Sequence, residues 1–185
     1  MLILASSSPR RAAILRQLGI PFTVQVSRVA EGEFSGSLAQ RVESLAWAKA
    51  KAVADKTDGL VLGADTLVAL DGEVLGKPQD DLDAVRMLSR LSGKVHQVMT
   101  GLATVGEGRE LCGHQLTRVR MRTLSRGEIE RYVATGEPQD KAGAYGIQGR
   151  GAALIEEISG CYYNVVGLPV ALLIEQLSNF GMIVP

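Results

Sequence analysis

The 185-residue chain has few cysteines, few aromatic residues and no net charge, and each shortage argues against a class of function. Lysine plus arginine and aspartate plus glutamate both number 20, so the overall charge points neither to nucleic acid nor to an anionic membrane surface. Aromatic residues make up only 4%, which argues further against a module that stacks on single-stranded bases. We therefore expect no nucleic-acid partner and no membrane partner, and any polyanion must be bound by a local cluster of cations.

The chain also lacks a disulfide framework and any long hydrophobic run. Its two cysteines, Cys112 and Cys161, form no Cys-x-x-Cys pair, and they are predicted to be reduced, packed thiols. No apolar run approaches the length of a membrane span. The N-terminal run is too short for a secretion signal, and its positive charges follow the run instead of preceding it. We expect a cytoplasmic protein that forms a single domain over residues 1–185, with one or two lobes.

The most informative stretch is the apolar segment Leu60–Leu70, which reads LVLGADTLVAL between two polar turns. Such a run predicts a strand that is buried on both faces. Its one carboxylate is Asp65, and an ionised carboxylate that is buried without a partner is strongly unfavourable. Asp65 is therefore either functional or a structural residue that accepts backbone N–H bonds where Gly63 and Ala64 bend the strand. The residues alone favour neither reading.

A short strand at Leu2–Ala5 runs directly into a serine-rich turn and a helix. Ser8 is placed to cap this helix, and Pro9 suits its first position. Free N–H groups, hydroxyls and the positive helix end favour an anion at such a turn, and Arg10 and Arg11 lie beside it. The alternative is an ordinary capped helix with solvated arginines. The turn alone slightly favours this alternative.

Two lysines have both an ordinary and a functional interpretation. Ser37 is predicted to cap a long helix that extends to about Ala54, and Lys49 near its end complements the helix dipole. Lys77 precedes a proline, which restricts it to an extended backbone that could hold it near the Leu60–Leu70 strand. A solvated loop lysine is the alternative for Lys77.

Three arginines, Arg118, Arg120 and Arg122, recur at every second residue and therefore share one face of a predicted strand. We interpret this arginine stripe as a solvated face, with Val119 and Met121 turned inward. An anion-binding surface and a subunit contact in a homodimer are the alternatives.

Two further features carry no clear chemistry of their own. The histidines, His96 and His114, show no metal-ligand spacing and are interpreted as structural. The segment Asp140–Gly151 is rich in glycine, which indicates a backbone that passes close to another group or several residues with positive φ. It lacks the Gly-Lys-Ser/Thr ending of a phosphate loop, so we reject a Walker-type ATPase.

The remaining elements follow from hydrophobic periodicity and turn signals. They are a strand at Phe22–Val26, a short return strand at Val74-Leu75, a helix from Asp80 or Asp81 to Gly93, a hairpin of strands at Val95–Val105 and Leu111–Thr123, a helix from Ser125 to Thr135, a strand at Ala153–Ile158, a turn or strand at Cys161–Val166, and a helix at Leu168–Leu177.

Several of these motifs together resemble the Maf family of nucleoside triphosphate pyrophosphatases, which was named for septum formation. In chain order they are Ser6–Arg11, Gly63–Thr66, Gly76–Pro78, Leu91–Gly93 through Thr100-Gly101, and Asp140–Gly149. They cover essentially the whole chain, and their combination is specific although no single motif is. The resemblance implies an α/β fold like that of the inosine triphosphate pyrophosphatases, with a long bent mixed β-sheet flanked by helices and two lobes around a central cleft.

The resemblance also implies hydrolysis of a nucleoside triphosphate to the monophosphate and pyrophosphate, with a divalent cation, Mg²⁺ or Mn²⁺. Asp65 matches the family's proton acceptor. The positions expected to bind the triphosphate carry a positive charge or a hydroxyl, and they are Ser8, Arg10, Arg11, Lys49 and Lys77.

The resemblance assigns the metal to Glu31 and Asp65. Many family members have two adjacent acidic residues after the second strand, whereas Ala30 stands at one of these places here. If that pair helps to hold the metal, this chain must manage with Glu31, aided by Glu33.

The sequence Gly146-Ile147-Gln148-Gly149 matches the family subgroup that hydrolyses dTTP and UTP. Arg10, Thr66 and Gln148 match the specificity positions of that subgroup. The resemblance therefore implies dTTP and UTP as substrates, with modified pyrimidine nucleotides and other nucleotide preferences left open. A second class of function also stays open, namely a non-catalytic regulator of cell division that acts by contact.

Overall fold

The computed structural model describes residues 1–29 and 36–184, and within them seven strands and six helices form a mixed α/β structure. The strands are β1 (Leu2–Leu4), β2 (Phe22–Val24), β3 (Leu60–Leu70), β4 (Glu73–Leu75), β5 (Val95–Gly106), β6 (Arg109–Met121) and β7 (Ile155–Ser159). The helices are α1 (Pro9–Gln17), α2 (Leu38–Ala54), α3 (Asp81–Leu91), α4 (Arg126–Val133), α5 (Tyr162–Val166) and α6 (Val170–Asn179). In this part of the chain, no helix has the length and apolarity needed to cross a membrane.

The strands form one sheet in the order β2-β1-β3-β5-β6-β7, and β4 pairs with β3. β1 runs parallel to β2 and β3, with Leu2 opposite Phe22 and Leu60. β4 and β7 run antiparallel to β3 and β6, so the sheet is mixed and the predicted α/β class is confirmed. Every residue of β3 except Thr66 is buried, as its apolar pattern predicts.

Residue contacts divide the chain into two compact units. The first unit comprises Met1–Thr66, Met99–Gln115 and Gly167–Pro185, and the second comprises Leu67–Val98 and Leu116–Val166. The first unit therefore contains β1, β2, α1, α2 and α6, and the second contains β4, β7, α3, α4 and α5. The long strands β3, β5 and β6 contribute residues to both units.

In the first unit, α2 packs on the sheet through small side chains. The Ser37 hydroxyl accepts a hydrogen bond from the Gln40 N–H, and the Gln40 side chain accepts one from the Ser37 N–H, so this capping box fixes where α2 begins. The buried residues of α2 are Val42, Ala46, Ala50 and Val53. Three of them, Ala46, Ala50 and Val53, form a core cluster with residues of the strands and of the segment after β1, which are Ile3, Ala5, Val61, Ala103 and Val105.

The second unit buries the apolar faces of α3 and α4 in one core. Asp80 caps α3 by accepting from the Asp83 N–H at 2.7 Å, and Ser125 and Glu128 form the capping box predicted for α4. The helical residues of this core are Ala84, Leu88, Leu91, Ile129, Tyr132 and Val133.

The arginine stripe of β6 is a solvated face, as predicted. Val119 and Met121 are fully buried, whereas Arg120 is exposed. Arg122 is half-buried and pairs with Glu128 at 3.1 Å. Arg120 and Arg122 therefore pair with surface carboxylates, those of Glu157 and Glu128.

The prediction of a turn or strand at Cys161–Val166 is wrong, because Tyr162–Val166 forms helix α5. Asn164 is fully buried in this helix, and its side-chain amide donates to the Val98 carbonyl at 3.0 Å and to Thr117 Oγ1 at 2.9 Å. Contacts with residues that are distant in sequence therefore override the β propensity of the segment Cys161–Val166.

Two smaller predictions also need correction. β7 begins at Ile155, because Gly149–Leu154 forms a 3₁₀ turn where the start of the strand was expected. Cys112 and Cys161 are both free, as predicted, but Cys112 is exposed and not packed, since it lies on the solvent side of β6.

A buried hydrogen-bonded pair, His96 and Tyr145, lies in the second unit. His96 Nε2 and the Tyr145 hydroxyl are 2.6 Å apart, and the rings meet edge to face. His96 is 1% exposed, and no described residue bonds its Nδ1. Burial lowers the pKa of His96 to about 4, which favours the neutral imidazole in the folded protein. These contacts agree with the structural interpretation of His96.

The lowered pKa of His96 makes stability depend on pH. The folded value of about 4 lies below the unfolded value of 6.5, so the unfolded chain binds the extra proton between these values. This contribution to the free energy of unfolding should be fully present above the unfolded pKa and should fall by about 3 kcal/mol as the pH drops to the folded pKa. His96→Gln should remove this pH dependence, whereas His114→Gln should retain it. Denaturant titrations across this pH range measure the free energy of unfolding of each variant. If it depended on pH as strongly in His96→Gln as in the wild type, the account would be contradicted.

Candidate active site

Asp65 and Lys49 form a largely buried ion pair in the first unit, with 11% and 14% of their side chains exposed. Asp65 stands on β3, where it is 8% exposed, and Lys49 projects from α2. Lys49 Nζ lies 2.6 Å from Asp65 Oδ1. This pairing explains how an ionised carboxylate can lie within an apolar strand, because the buried carboxylate has a cation as its partner. Lys49 therefore does more than complement the dipole of its helix.

Successive residues of β3 face opposite sides, so Asp65 and Thr66 have different surroundings. Gly63 faces the backbone of α2, and Asp65, two residues further on, shares that face. Thr66 Oγ1 instead accepts from Arg11 Nη2 at 3.1 Å and lies 2.9 Å from the Thr100 hydroxyl. The strand thus presents an ion pair on one face and a network of hydroxyls on the other.

The serine-rich turn leads from β1 into α1, as predicted. Ser8 has extended backbone angles, its hydroxyl accepts from the Arg11 N–H at 3.5 Å, and Pro9 follows it as the first helical residue. The Ser8 N–H donates to Ser6 Oγ at 3.2 Å. Arg10 is half-buried on the first turn of α1, so a positive helix end and an arginine lie together here.

The Arg11 guanidinium connects three segments of the first unit. Its Nε donates to the Gly167 carbonyl at 2.8 Å, Nη1 donates to Ser6 Oγ at 2.9 Å, and Nη2 donates to Thr66 Oγ1 at 3.1 Å. A planar fork of donors can serve these three oxygen atoms together, which an ammonium group cannot. Arg11 is therefore not the solvated arginine that the turn alone favoured.

Lys77 and Gln148 belong to the second unit, and both side chains are exposed. The segments that carry them are joined there, because the Gly143 N–H donates to the Gly76 carbonyl at 2.9 Å. Gly143 has a φ of 70°, and a Cβ added to it would lie 2.9 Å from the Val68 side chain, so this position requires glycine. The glycine-rich loop is thereby anchored to the Gly76-Lys77 segment.

Glu137, which no sequence pattern singled out, holds the other side of that loop. Its carboxylate accepts from the Gly151 N–H at 3.0 Å and from the Arg150 N–H at 3.1 Å. The Tyr132 hydroxyl donates to the same carboxylate at 3.1 Å, and burial raises the pKa of Tyr132 above its usual range. In the sequence Glu137 looks like an ordinary turn residue before a proline, and its backbone partners lie 13 and 14 residues further on.

The described residues alone do not make a metal site. Across this part of the chain, no three His, Cys, Asp or Glu side chains are grouped closely enough to hold an ion. Asp65 supplies one carboxylate, and its Oδ1 already accepts from Lys49. Glu31, Ala30 and Glu33 lie outside the described residues, so the metal ligands expected there stay a prediction.

Comparison with protein families assigns the chain to one of them. Residues 1–180 match the family model Maf, described as Maf-like protein. The chain belongs to the Maf family. This match confirms the resemblance that the serine-rich turn, the Gly-Ala-Asp-Thr segment and the glycine-rich loop indicate.

Relatives of this Maf-family chain share one name. A protein of Symbiobacterium thermophilum named dTTP/UTP pyrophosphatase is 59% identical over 182 residues, covering 97% of this chain and 94% of its own. A protein of Moorella thermoacetica with the same name is 56% identical over 185 residues, covering 98% of this chain and 95% of its own. A third, from Desulforamulus reducens, is 51% identical over 185 residues, covering 98% and 97%.

Two solved structures share the fold. The Ham1 protein of Staphylococcus aureus aligns with a TM-score of 0.58 at 14% identity, and the HAM1 protein of Coxiella burnetii aligns with 0.56 at 17%. Each alignment covers 96% of this chain and 98% of the other chain. At these identities the likeness shows the fold alone. It confirms the predicted architecture of a mixed sheet flanked by helices, like that of the inosine triphosphate pyrophosphatases.

Arg11→Lys should destabilise the first unit, because an ammonium group replaces a fork that serves three oxygen atoms. Hydrogen bonds that involve a charged group are worth roughly 1.5–3 kcal/mol, and we expect a loss of that size in the free energy of unfolding. Arg16→Lys, on the exposed side of the same helix, should change it by less than about 0.5 kcal/mol. Urea unfolding of both variants measures the difference. Equal midpoints for the wild type and Arg11→Lys would show that the guanidinium bonds add nothing to stability.

Proposed function

We propose that this protein hydrolyses a nucleoside triphosphate to the monophosphate and pyrophosphate. The observation that carries the proposal is the pairing of Lys49 with the buried Asp65, which sets an oriented carboxylate within an apolar strand. Thr66 follows Asp65 directly and bonds Arg11, so this carboxylate belongs to the same unit as the serine-rich turn. The name of the relatives, dTTP/UTP pyrophosphatase, supports the same reaction.

Asp65 is the proposed general base. It accepts a proton from a water molecule whose oxygen attacks the α-phosphorus, and the bond from that phosphorus to the bridging oxygen breaks as pyrophosphate leaves. Lys49 orients the carboxylate through its 2.6 Å contact, so the proton acceptor is in place before the substrate binds. Negative charge that develops on the leaving pyrophosphate is stabilised by nearby cations, as in phosphoryl transfer generally.

The serine-rich turn is proposed to bind the polyphosphate. The Ser8 hydroxyl accepts from the Arg11 N–H, so its own proton is available to a phosphate oxygen. N–H groups at the start of α1 and the Arg10 guanidinium favour an anion at the same place. Arg11 adds positive charge and also maintains the shape of the turn through its bond to Ser6. Lys77, a lysine of the second unit, is assigned to the polyphosphate on the family resemblance.

Gln148 is proposed to recognise the base, an assignment that also rests on the resemblance. An amide offers two donors and an acceptor, which suit the imide edge of thymine and uracil, where two carbonyls flank an N–H. Cytosine reverses part of this pattern. With Arg10 and Thr66 at the matching specificity positions, these features favour dTTP and UTP, and modified pyrimidines that keep the imide edge fit equally well.

We also propose a divalent cation, Mg²⁺ or Mn²⁺, because the resemblance to the Maf family implies one. When bound, it supplies positive charge to the phosphate oxygens and makes the attacking water more acidic. We assign Asp65 and Glu31 as its protein ligands from the resemblance.

Turnover of a nucleotide panel with Mg²⁺ or Mn²⁺ tests the proposed reaction. We expect dTTP and UTP to lead the ranking of kcat/KM over CTP and the purine triphosphates, with monophosphate and pyrophosphate as the first products. One flexible amide should discriminate by less than the ~10⁴–10⁵-fold of sites built around several polar groups. Gln148→Glu should reduce the preference for dTTP and UTP over the other triphosphates, because a carboxylate cannot donate to the base carbonyls.

Three outcomes of this panel would contradict separate parts of the proposal. UDP and orthophosphate as the first products of UTP would contradict attack at the α-phosphorus. A purine nucleotide at the head of the ranking would contradict the base assignment. No turnover of any nucleotide would contradict the enzyme and favour a regulator that acts by contact.

Asp65→Asn should nearly abolish hydrolysis while the protein stays folded, because the amide keeps the shape of the carboxylate but cannot accept the proton. Loss of a general base typically lowers the rate by ~10²–10⁴-fold. Asp71→Asn is the matched control, since Asp71 is exposed in the turn directly after β3 and its φ of 52° is one that asparagine tolerates. Steady-state kinetics compare the two variants. If Asp65→Asn stays within a few-fold of the wild type, Asp65 has no role as the base.

A further inference from the structure

Two glycines beneath α2 bear on how the Lys49–Asp65 pair is positioned. They are Gly63 on β3 and Gly101 on β5. A Cβ built on Gly101 would lie 2.2 Å from the Val42 carbonyl oxygen. Such a distance is too short for any real side chain, so alanine at this position would require the helix or the strand to shift.

Gly63 lies against the next turns of α2. A Cβ built on it would lie 2.2 Å from the Ala46 carbonyl oxygen and 2.7 Å from the Ala50 nitrogen. The φ of neither glycine is positive, so what these positions need is the absence of a side chain and not an unusual backbone angle. At both glycines the nearest atoms are backbone atoms of α2, which cannot rotate aside as a flexible side chain can.

The residues around these glycines are also small. Ala46, Ala50 and Ala103 are all fully buried or nearly so and lie in one core cluster with Val61. The sheet-facing side of α2 therefore approaches the strands closely over several turns. A helix held this closely has little freedom to move toward or away from β3.

The same contact includes the two charged residues. Lys49 lies between Ala46 and Ala50, in the part of α2 that rests on Gly63, and Asp65 is two residues after Gly63 on the same face of β3. The separation of helix and strand at Gly63 therefore sets the distance that the lysine must span.

We propose that Gly63 and Gly101 are positioning residues for the reaction. By admitting the backbone of α2 onto the sheet, they set the 2.6 Å contact through which Lys49 orients Asp65. This inference rests on the proposed function for its catalytic consequence, and the contact itself can be measured without activity. Ordinary contact of a Cβ begins at 3.4 Å, so alanine at Gly101 would displace α2 by about 1 Å, and a misplacement of this size can lower a rate by ~10²-fold.

Gly101→Ala tests the inference, with Gly106→Ala as its matched control. Gly106 lies on the same strand, but a Cβ there would lie 3.0 Å from Gly59 and 3.1 Å from Leu60, at the start of β3, and would not contact α2. Both variants should unfold at lower temperature than the wild type. Only Gly101→Ala should lower kcat, by ~10²-fold and with a smaller change in KM, because the orientation of the base is affected more than the binding of the nucleotide.

A double-mutant cycle separates positioning from a general loss of structure. If Gly101 acts through Lys49, adding Gly101→Ala to Lys49→Ala should change kcat by less than about two-fold. A further ~10²-fold loss in the Lys49→Ala background would overturn the inference, because the two effects would then be independent. If Gly101→Ala does not yield folded protein, Ala103→Val is used instead, since it adds two methyl groups at the same interface.

A crystal structure of Gly101→Ala, or of Ala103→Val, provides a test that does not depend on turnover. We expect the Lys49 Nζ to Asp65 Oδ1 distance to lengthen from 2.6 Å by about 1 Å, the displacement of α2, and to stay near 2.6 Å in Gly106→Ala. An unchanged distance in the first variant would overturn the inference whatever the activity. A lengthened distance in a protein whose wild type turns over no nucleotide would support the inference and contradict only the proposed function.

Discussion

A charged carboxylate can stay within an apolar strand only when a cation reaches it, and this constraint shapes the first unit. Asp65 lies on a strand whose other residues are apolar or small, and Lys49 is its partner. Removal of the lysine charge would leave the Asp65 carboxylate buried without this cation, which typically costs about 3–5 kcal/mol. The helix that carries Lys49 must therefore lie close to the sheet. Small residues along α2 and the glycines of β3 and β5 make this approach feasible.

Each unit also uses a charged side chain to organise a segment that lies outside the α-helices and strands. In the first unit the Arg11 guanidinium donates to Ser6, Thr66 and the Gly167 carbonyl. In the second unit the Glu137 carboxylate accepts from two backbone N–H groups of the glycine-rich loop. Both groups satisfy partners that would otherwise need water, and both fix turns that carry residues of the proposed site.

Local patterns predicted much of the fold because the signals for those elements are local. The apolar run of β3, the capping boxes at Ser37 and Ser125, and the Ser8-Pro9 start of α1 all depend on residues within a few positions of one another. Helix α5 could not be predicted in this way, because its buried Asn164 bonds Val98 and Thr117, 66 and 47 residues earlier.

The candidate site was predictable in its residue types but not in its contacts. Asp65 attracts notice as a lone carboxylate in an apolar run, whereas nothing near Lys49 indicates that its partner lies 16 residues away on another element. The acceptors of Arg11 lie as far as 156 residues along the chain, so local sequence could indicate only an arginine beside a turn. The central claim is that the site directs a water molecule to the α-phosphorus of the nucleotide. Hydrolysis of UTP in water labelled with heavy oxygen tests it most directly: the account places the label in the monophosphate alone, and label in the released pyrophosphate would contradict it.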